Sequence, residues 1–434
     1  MSIKRRDFIK LASLQVGMLA ACRTAPPSFT PPGPMPPMPD PRPTRSGSTA
    51  DVIVIGAGAF GGWTAYHLQE LGMKVMLVDA YGPGNSRATS GDETRGVRSS
   101  YGDRTGDQAE QWMRWARAAM QRWLDWDAEW QKQLKTQLFY PTGDVIMRKE
   151  EENFTKRTRE IWQKIGVRHE VLKVDELRKR WQIFNTDNID LVLYEPDAGV
   201  VRARRACESV AEVFKSRGGE VKIATAWPGT QTGGKLDHLV LSTNETVSAG
   251  SYVFACGPWL PKIFPDLLGR VIRTPLGHVF YFATPPADDR FTFPNCPSWN
   301  YPGVTGWASL LPDNRGFRVR TGGDRLYDPD YSTRWIPEKA LKATKVFVKD
   351  HFPILANAPI NETRACHYEL SSTRNFIIDG HPGLSNVWIT GGGNAEAFKF
   401  GPVLGDYIAK RVKGDLGDAK LAQTFKLPKE QPKV

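Results

Sequence analysis

Residues 52–55, VIVI, are a short unbroken run of β-branched side chains, the pattern of a strand buried on both faces. Gly56, Gly58 and Gly61 follow, and Ala65, Leu68 and Leu71 then recur at the spacing of one helix face. A second apolar run, residues 74–78, ends at Asp79. This order predicts a strand, a glycine turn, a helix and a second strand. Near the other end, Gly401-Pro402 opens a helix with Val403, Leu404, Tyr407, Ile408 and Val412 on one side, and proline suits its first turn. Between them, Trp112, Trp115, Trp123, Trp126 and Trp130 stand close to helical spacing. Such a stripe is expected to pack inward; the alternative is a patch that touches a membrane or partner.

The chain of 434 residues opens differently. Residues 1–22 carry a twin arginine (Arg5, Arg6), a short apolar run and the ending Leu19-Ala20-Ala21-Cys22. The run is too short for a spanning helix. The twin arginine resembles an export signal for folded proteins, and the ending resembles a bacterial lipobox that lipidates Cys22. Ordinary cleavage with an idle cysteine is the alternative. Residues 23–49 are rich in proline and suit an extended tether. A periplasmic or cell-envelope location with a lipid anchor at Cys22 follows as the expectation.

The body from Ala50 onward is long enough for two domains. Of the net charge of +11, the first 50 residues hold +5, from seven Lys/Arg against two Asp/Glu. The remainder is interspersed with acids and shows no basic-aromatic repeat, so no nucleic-acid partner is expected. No two of the seven histidines stand at ligand spacing, so no metal site is expected. Apart from Cys22, the cysteines at 207, 256, 296 and 366 are too irregularly spaced to indicate a disulfide framework.

The pattern Gly56-x-Gly58-x-x-Gly61, set between strand and helix with Asp79 closing the second strand, points to a dinucleotide. The glycines let backbone amides approach a pyrophosphate at the helix N-terminus, and Asp79 suits ribose hydroxyls. Residues 90–103, SGDETRGVRSSYGD, then resemble the segment after the first βαβ unit of monomeric sarcosine oxidase-like enzymes in the D-amino-acid oxidase superfamily of flavoproteins. The likeness returns in residues 376–412, which carry FIIDGHP, a glycine turn and AFKF, and in 197–221 and 252–265.

That resemblance implies an α/β fold: a Rossmann-like FAD-binding domain on a parallel sheet, interleaved in sequence with an α+β substrate domain on a mixed or antiparallel sheet. The expected division is 50–110, 191–270 and 362–415 for the FAD-binding domain, 111–190 and 271–361 for the substrate domain, and 416–434 as a tail. It implies FAD bound by Gly56, Gly58, Gly61, Asp79, Arg95, Gly392, Gly393 and Lys399, with Cys366 as its covalent tether. Arg98 and Lys399 would grip the carboxylate of a small amino-acid or amine substrate, which also fits the forked charge of arginine. Tyr368 would lie near the substrate.

The implied chemistry is oxidation of the C–N bond of a secondary or N-substituted amino acid, with hydride passing to flavin N5, hydrolysis of the imine, and O2 as acceptor giving H2O2, in a monomeric enzyme. Three positions depart from the resembled pattern. Arg318 replaces a lysine associated with oxygen activation, which keeps a quinone or other carrier open as acceptor. Glu396 replaces a histidine near the substrate, and Gly91 replaces a flavin-contacting histidine. A non-catalytic cell-envelope flavoprotein and an NAD-linked dehydrogenase are the other classes to separate.

Overall fold

A computed structural model describes residues 45–311, 315–323, 328–415 and 417–428. The export signal, Cys22 and the tether up to residue 44 lie outside the described residues.

The apolar run at 52–55 lies at the centre of the first sheet. Its strand, Arg45–Ile55, pairs in parallel with Glu245–Phe254 on one side and Val75–Asp79 on the other. Glu220–Ile223 extends the parallel order beyond Val75–Asp79. Leu384–Gly391 runs parallel to the second half of Glu245–Phe254, and Ile377–His381 folds back on it. Burial on both faces explains the absence of polar alternation: Val52, Ile53, Val54 and Ile55 are all buried. The sheet carries helices Gly61–Glu70, Ala203–Ser216 and Gly401–Lys413, the first and last packed together.

The second sheet has eight strands and is mostly antiparallel. Its order is Ile360–His367, Leu276–Phe282, Phe317–Thr321, Val304–Trp307, Ser298–Tyr301, Asp144–Arg148, Leu191–Glu195 and Glu170–Leu172. Ser298–Tyr301 and Asp144–Arg148 pair in parallel. The fold is the expected α/β class, with a parallel Rossmann-like sheet and a second sheet.

Four boundaries differ from the expected division. Residues 191–195 and 362–367 pair within the second sheet, because both segments have strand partners there and none in the first. The tryptophan-rich helix Gln108–Leu134 packs on the first unit: Trp112 meets Phe376, and Trp123 and Trp126 meet Trp63. Residues 45–49, expected in the tether, already pair with Glu245–Phe254, since prolines end at Pro43 and the backbone amides are free to bond. The tail also packs. Leu421 and Phe425, spaced for one helix face, are buried in the core, and Ile378 N–H donates to Phe425 O at 2.8 Å.

Candidate active site

A cavity of about 790 Å³ lies between the two sheets, reaching from the first glycine turn to Lys399. At one end, Gly56 has φ +104°, and a Cβ there would stand 2.3 Å from Ala255 O. A Cβ on Gly61 would stand 1.8 Å from Gly56 O, so only glycine lets the helix start this close to the strand. Gly61 therefore acts through packing and does not line the cavity; Gly56, Gly58 and Asp79 do. Asp79 accepts N–H bonds from Ala57 at 2.8 Å and Tyr81 at 2.9 Å, and its burial raises its pKa. A carboxylate held at the strand end beside an open glycine cradle fits the adenosine half of FAD.

In the middle, Asp92 is a buried hub. Arg95 and Arg318 both pair with it, Arg318 at 2.7 Å, and Tyr281 donates to it at 3.1 Å. Burial alone would raise the Asp92 carboxyl; Arg95 and Arg318 outweigh it and hold it well below the usual carboxylate range. Arg318 is only 2% exposed and lies over the Trp307 ring, 4.0 Å from its centre. Cys366 lines the cavity beside this hub. Its Sγ lies 3.7 Å from Arg95 Nη2 and 3.5 Å from Thr89 O. At Gly91, a Cβ would collide with Asn85 O at 1.6 Å, so this backbone admits no side chain there.

At the far end, Arg98 and Lys399 line the cavity, and neither forms an ion pair among the described residues, although the Asp144 carboxylate acts on both and that of Glu396 on Lys399. Lys399 Nζ donates to Tyr101 O–H at 2.6 Å, and the lysine is 6% exposed. Burial, then repulsion from Arg98, lowers its pKa to about 7. Glu396 does not stand free. Its Oε1 pairs with Arg104 Nη2 at 2.7 Å. Tyr368 lines the cavity and donates to Gly323 O at 3.4 Å.

Gly392 and Gly393 are placed differently from the expectation. Their N–H groups donate to the buried carboxylate of Glu369, at 3.1 and 3.2 Å, and of the two only Gly393 lines the cavity. The cause is Glu369 itself, a buried acceptor one residue after Tyr368 whose lone pairs must be satisfied. Glu369, Arg104, Tyr101 and Trp307 escaped the sequence reading as site residues. Tyr101 carried a signal, since it lies three residues after Arg98; the others carry none without the tertiary contacts.

A family model of FAD dependent oxidoreductases (DAO) matches residues 51–411. The chain belongs to this family. It is 26% identical over 374 residues to monomeric sarcosine oxidase of Bacillus sp. (strain B-0618), covering 83% of this chain and 91% of that protein. It is 25% identical over 375 residues to N-methyl-L-tryptophan oxidase of Yersinia pestis (strain Pestoides F), covering 83% and 94%. Glycine oxidase from Bacillus cereus shares the fold, with a TM-score of 0.70 at 17% identity over 88% of this chain and all of that one. The protein is an FAD-dependent amine or amino-acid oxidoreductase, and the cavity described above has the residues to hold FAD.

Proposed function

We propose that the protein oxidises the C–N bond of a secondary or N-substituted amino acid whose carboxylate is held by Arg98 and Lys399. The observation that carries this reading is that two basic groups from distant parts of the chain line one cavity and that, among the described residues, neither forms an ion pair, the carboxylates of Glu396 and Asp144 acting on Lys399 only from a distance. A bound carboxylate completes both. FAD, when bound, supplies the acceptor for hydride. Arg98 and Lys399 orient the substrate, and the positive wall favours the neutral amine that the reaction needs. The named relatives act on sarcosine and N-methyl-L-tryptophan, both N-methyl amino acids, which supports the substrate class.

Covalent attachment of FAD through Cys366 is part of this proposal, supported by a thiol that lines the cavity with its Sγ 3.7 Å from Arg95 Nη2. For the electron acceptor, O2 remains one reading. The pairing of Arg318 with Asp92 favours the other, a quinone or similar carrier, because a cation already answered by a buried carboxylate offers less to a developing superoxide. Export by a twin-arginine route, lipidation of Cys22, a cell-envelope location and a monomeric state complete the proposal, supported by the sequence motifs and the monomeric relative.

Anaerobic mixing with N-methyl amino acids tests the central claim. Bleaching of the flavin is expected, and Arg98→Met should lower kcat/KM by about 100-fold, the loss of charge-assisted hydrogen bonds. Absence of bleaching by every amino acid tried would leave a non-catalytic flavoprotein. Air admitted to the reduced protein then separates oxidase from dehydrogenase by its rate of reoxidation.

A further inference from the structure

Arg98 and Lys399 are not the only basic residues that line the cavity without an ion pair among the described residues. Arg320 stands on strand Phe317–Thr321, two residues beyond Arg318 and on the same face. Arg318 is answered by Asp92. Arg320 has no ion pair and no hydrogen bond among the described residues. Its guanidinium carbon lies 5.6 Å from the centre of the Tyr368 ring. The ring packs closely over Gly277, where a Cβ would stand 3.3 Å from Tyr368 Cε1. In register, Arg320 pairs with Val279 and Thr305, which also line the cavity.

The electrostatics of Arg320 are unfavourable as the protein leaves them. Burial lowers its pKa; Tyr368 opposes that, while the charges nearby are Arg318, Arg95 and Arg98, all cations. Arginine nevertheless stays charged at neutral pH. A partly buried guanidinium beside like charges is costly unless an anion meets it. The anion that Arg98 and Lys399 receive is assigned to the substrate's own carboxylate. Arg320 calls for another.

We infer that Arg320 receives a second anionic group on the substrate, so that the protein acts on an N-substituted amino acid with two carboxylates. One carboxylate binds Arg98 and Lys399; the other meets the fork of Arg320, which Tyr368 holds flat from behind. The inference rests on the proposed role of Arg98 and Lys399. It narrows the substrate class and makes Arg320 a specificity-determining residue.

The test compares ligands that differ in charge and hardly in shape. Succinate and succinamate are titrated against the flavoprotein, with perturbation of the flavin spectrum as the readout. N-methyl-L-aspartate and N-methyl-L-asparagine are compared by anaerobic bleaching. In each pair the diacid should be preferred by about tenfold or more, as expected for a charge-assisted hydrogen bond. Arg320→Gln should bring both ratios close to one, and Arg320→Lys should restore part of the preference; flavin content and thermal midpoint serve as folding controls. Equal affinity for succinate and succinamate in the wild type would overturn the inference. So would an Arg320→Gln variant that weakens diacid and monoacid alike, which would assign Arg320 to the flavin. If no amino acid bleaches the flavin while succinate still binds through Arg320, the oxidation reading falls and the anion site stands.

Discussion

At the scale of single residues, Cys366 and Glu369 differ in how they came to notice. Cys366 is a rare residue in a recognisable stretch, and the fold brings it to the cavity beside Arg95. Acid precipitation should leave a yellow, flavin-fluorescent pellet from wild type and a colourless one from Cys366→Ser. A colourless wild-type pellet would remove the covalent bond and leave FAD binding intact. Glu369 gave no such sign. Its burial raises its pKa to about 7 from an ordinary 4.5. A folded-state pKa above the unfolded one means that the protonated form stabilises the fold below pH 4.5, and that this stability is lost as pH rises through 7. Glu369→Gln removes the titration. Its thermal midpoint relative to wild type should therefore rise across that window and level off above it. A difference that does not vary with pH would show that Glu369 does not titrate there. Arg320 was hidden for a related reason: its alternation with Arg318 means a shared face only once the strand is known to border a cavity.

At the scale of elements, the helix after Gly401-Pro402 was legible in its apolar stripe, and Leu404 and Ile408 are fully buried as that stripe requires. What the stripe did not announce is how close this helix comes to its neighbour. A Cβ on Gly405 would stand 2.4 Å from Trp63 Cβ and 2.5 Å from Trp63 C. Alanine is the better helix former by about 1 kcal/mol, yet backbone cannot yield as a side chain can, and overpacking costs about 1–3 kcal/mol. Gly405→Ala should thus destabilise, by denaturant midpoint, despite its higher helix propensity. A more stable variant would mean that the two helices separate easily. The tryptophan stripe follows the same logic. Its inward packing was predicted, and the helices it meets were not, because periodicity defines a face without naming the surface opposite.

At the scale of the whole molecule, the two sheets are joined through Asp92, which lies on a segment next to the first sheet and pairs with Arg318 of the second. Both side chains are 2% exposed. Asp92→Asn leaves Arg318 and Arg95 without their buried anion and should cost about 3 kcal/mol or more. Equilibrium denaturation and flavin retention measure it, with the exposed Asp187→Asn as a control expected to stay near wild type. A variant as stable as that control would show that the two sheets do not depend on this pair. Taken alone, the sequence determined what local physics can encode: the β-branched strand, the glycine turn, the apolar helix faces, and through its motifs the family and FAD. The tertiary structure decided which charges are spent and which are left. Arg318 and Glu396 are paired with partners far away in the chain, while Arg98, Lys399 and Arg320 form no ion pair among the described residues. Charge pairing depends on distance in space, and the spacing of residues along the chain carries no record of it.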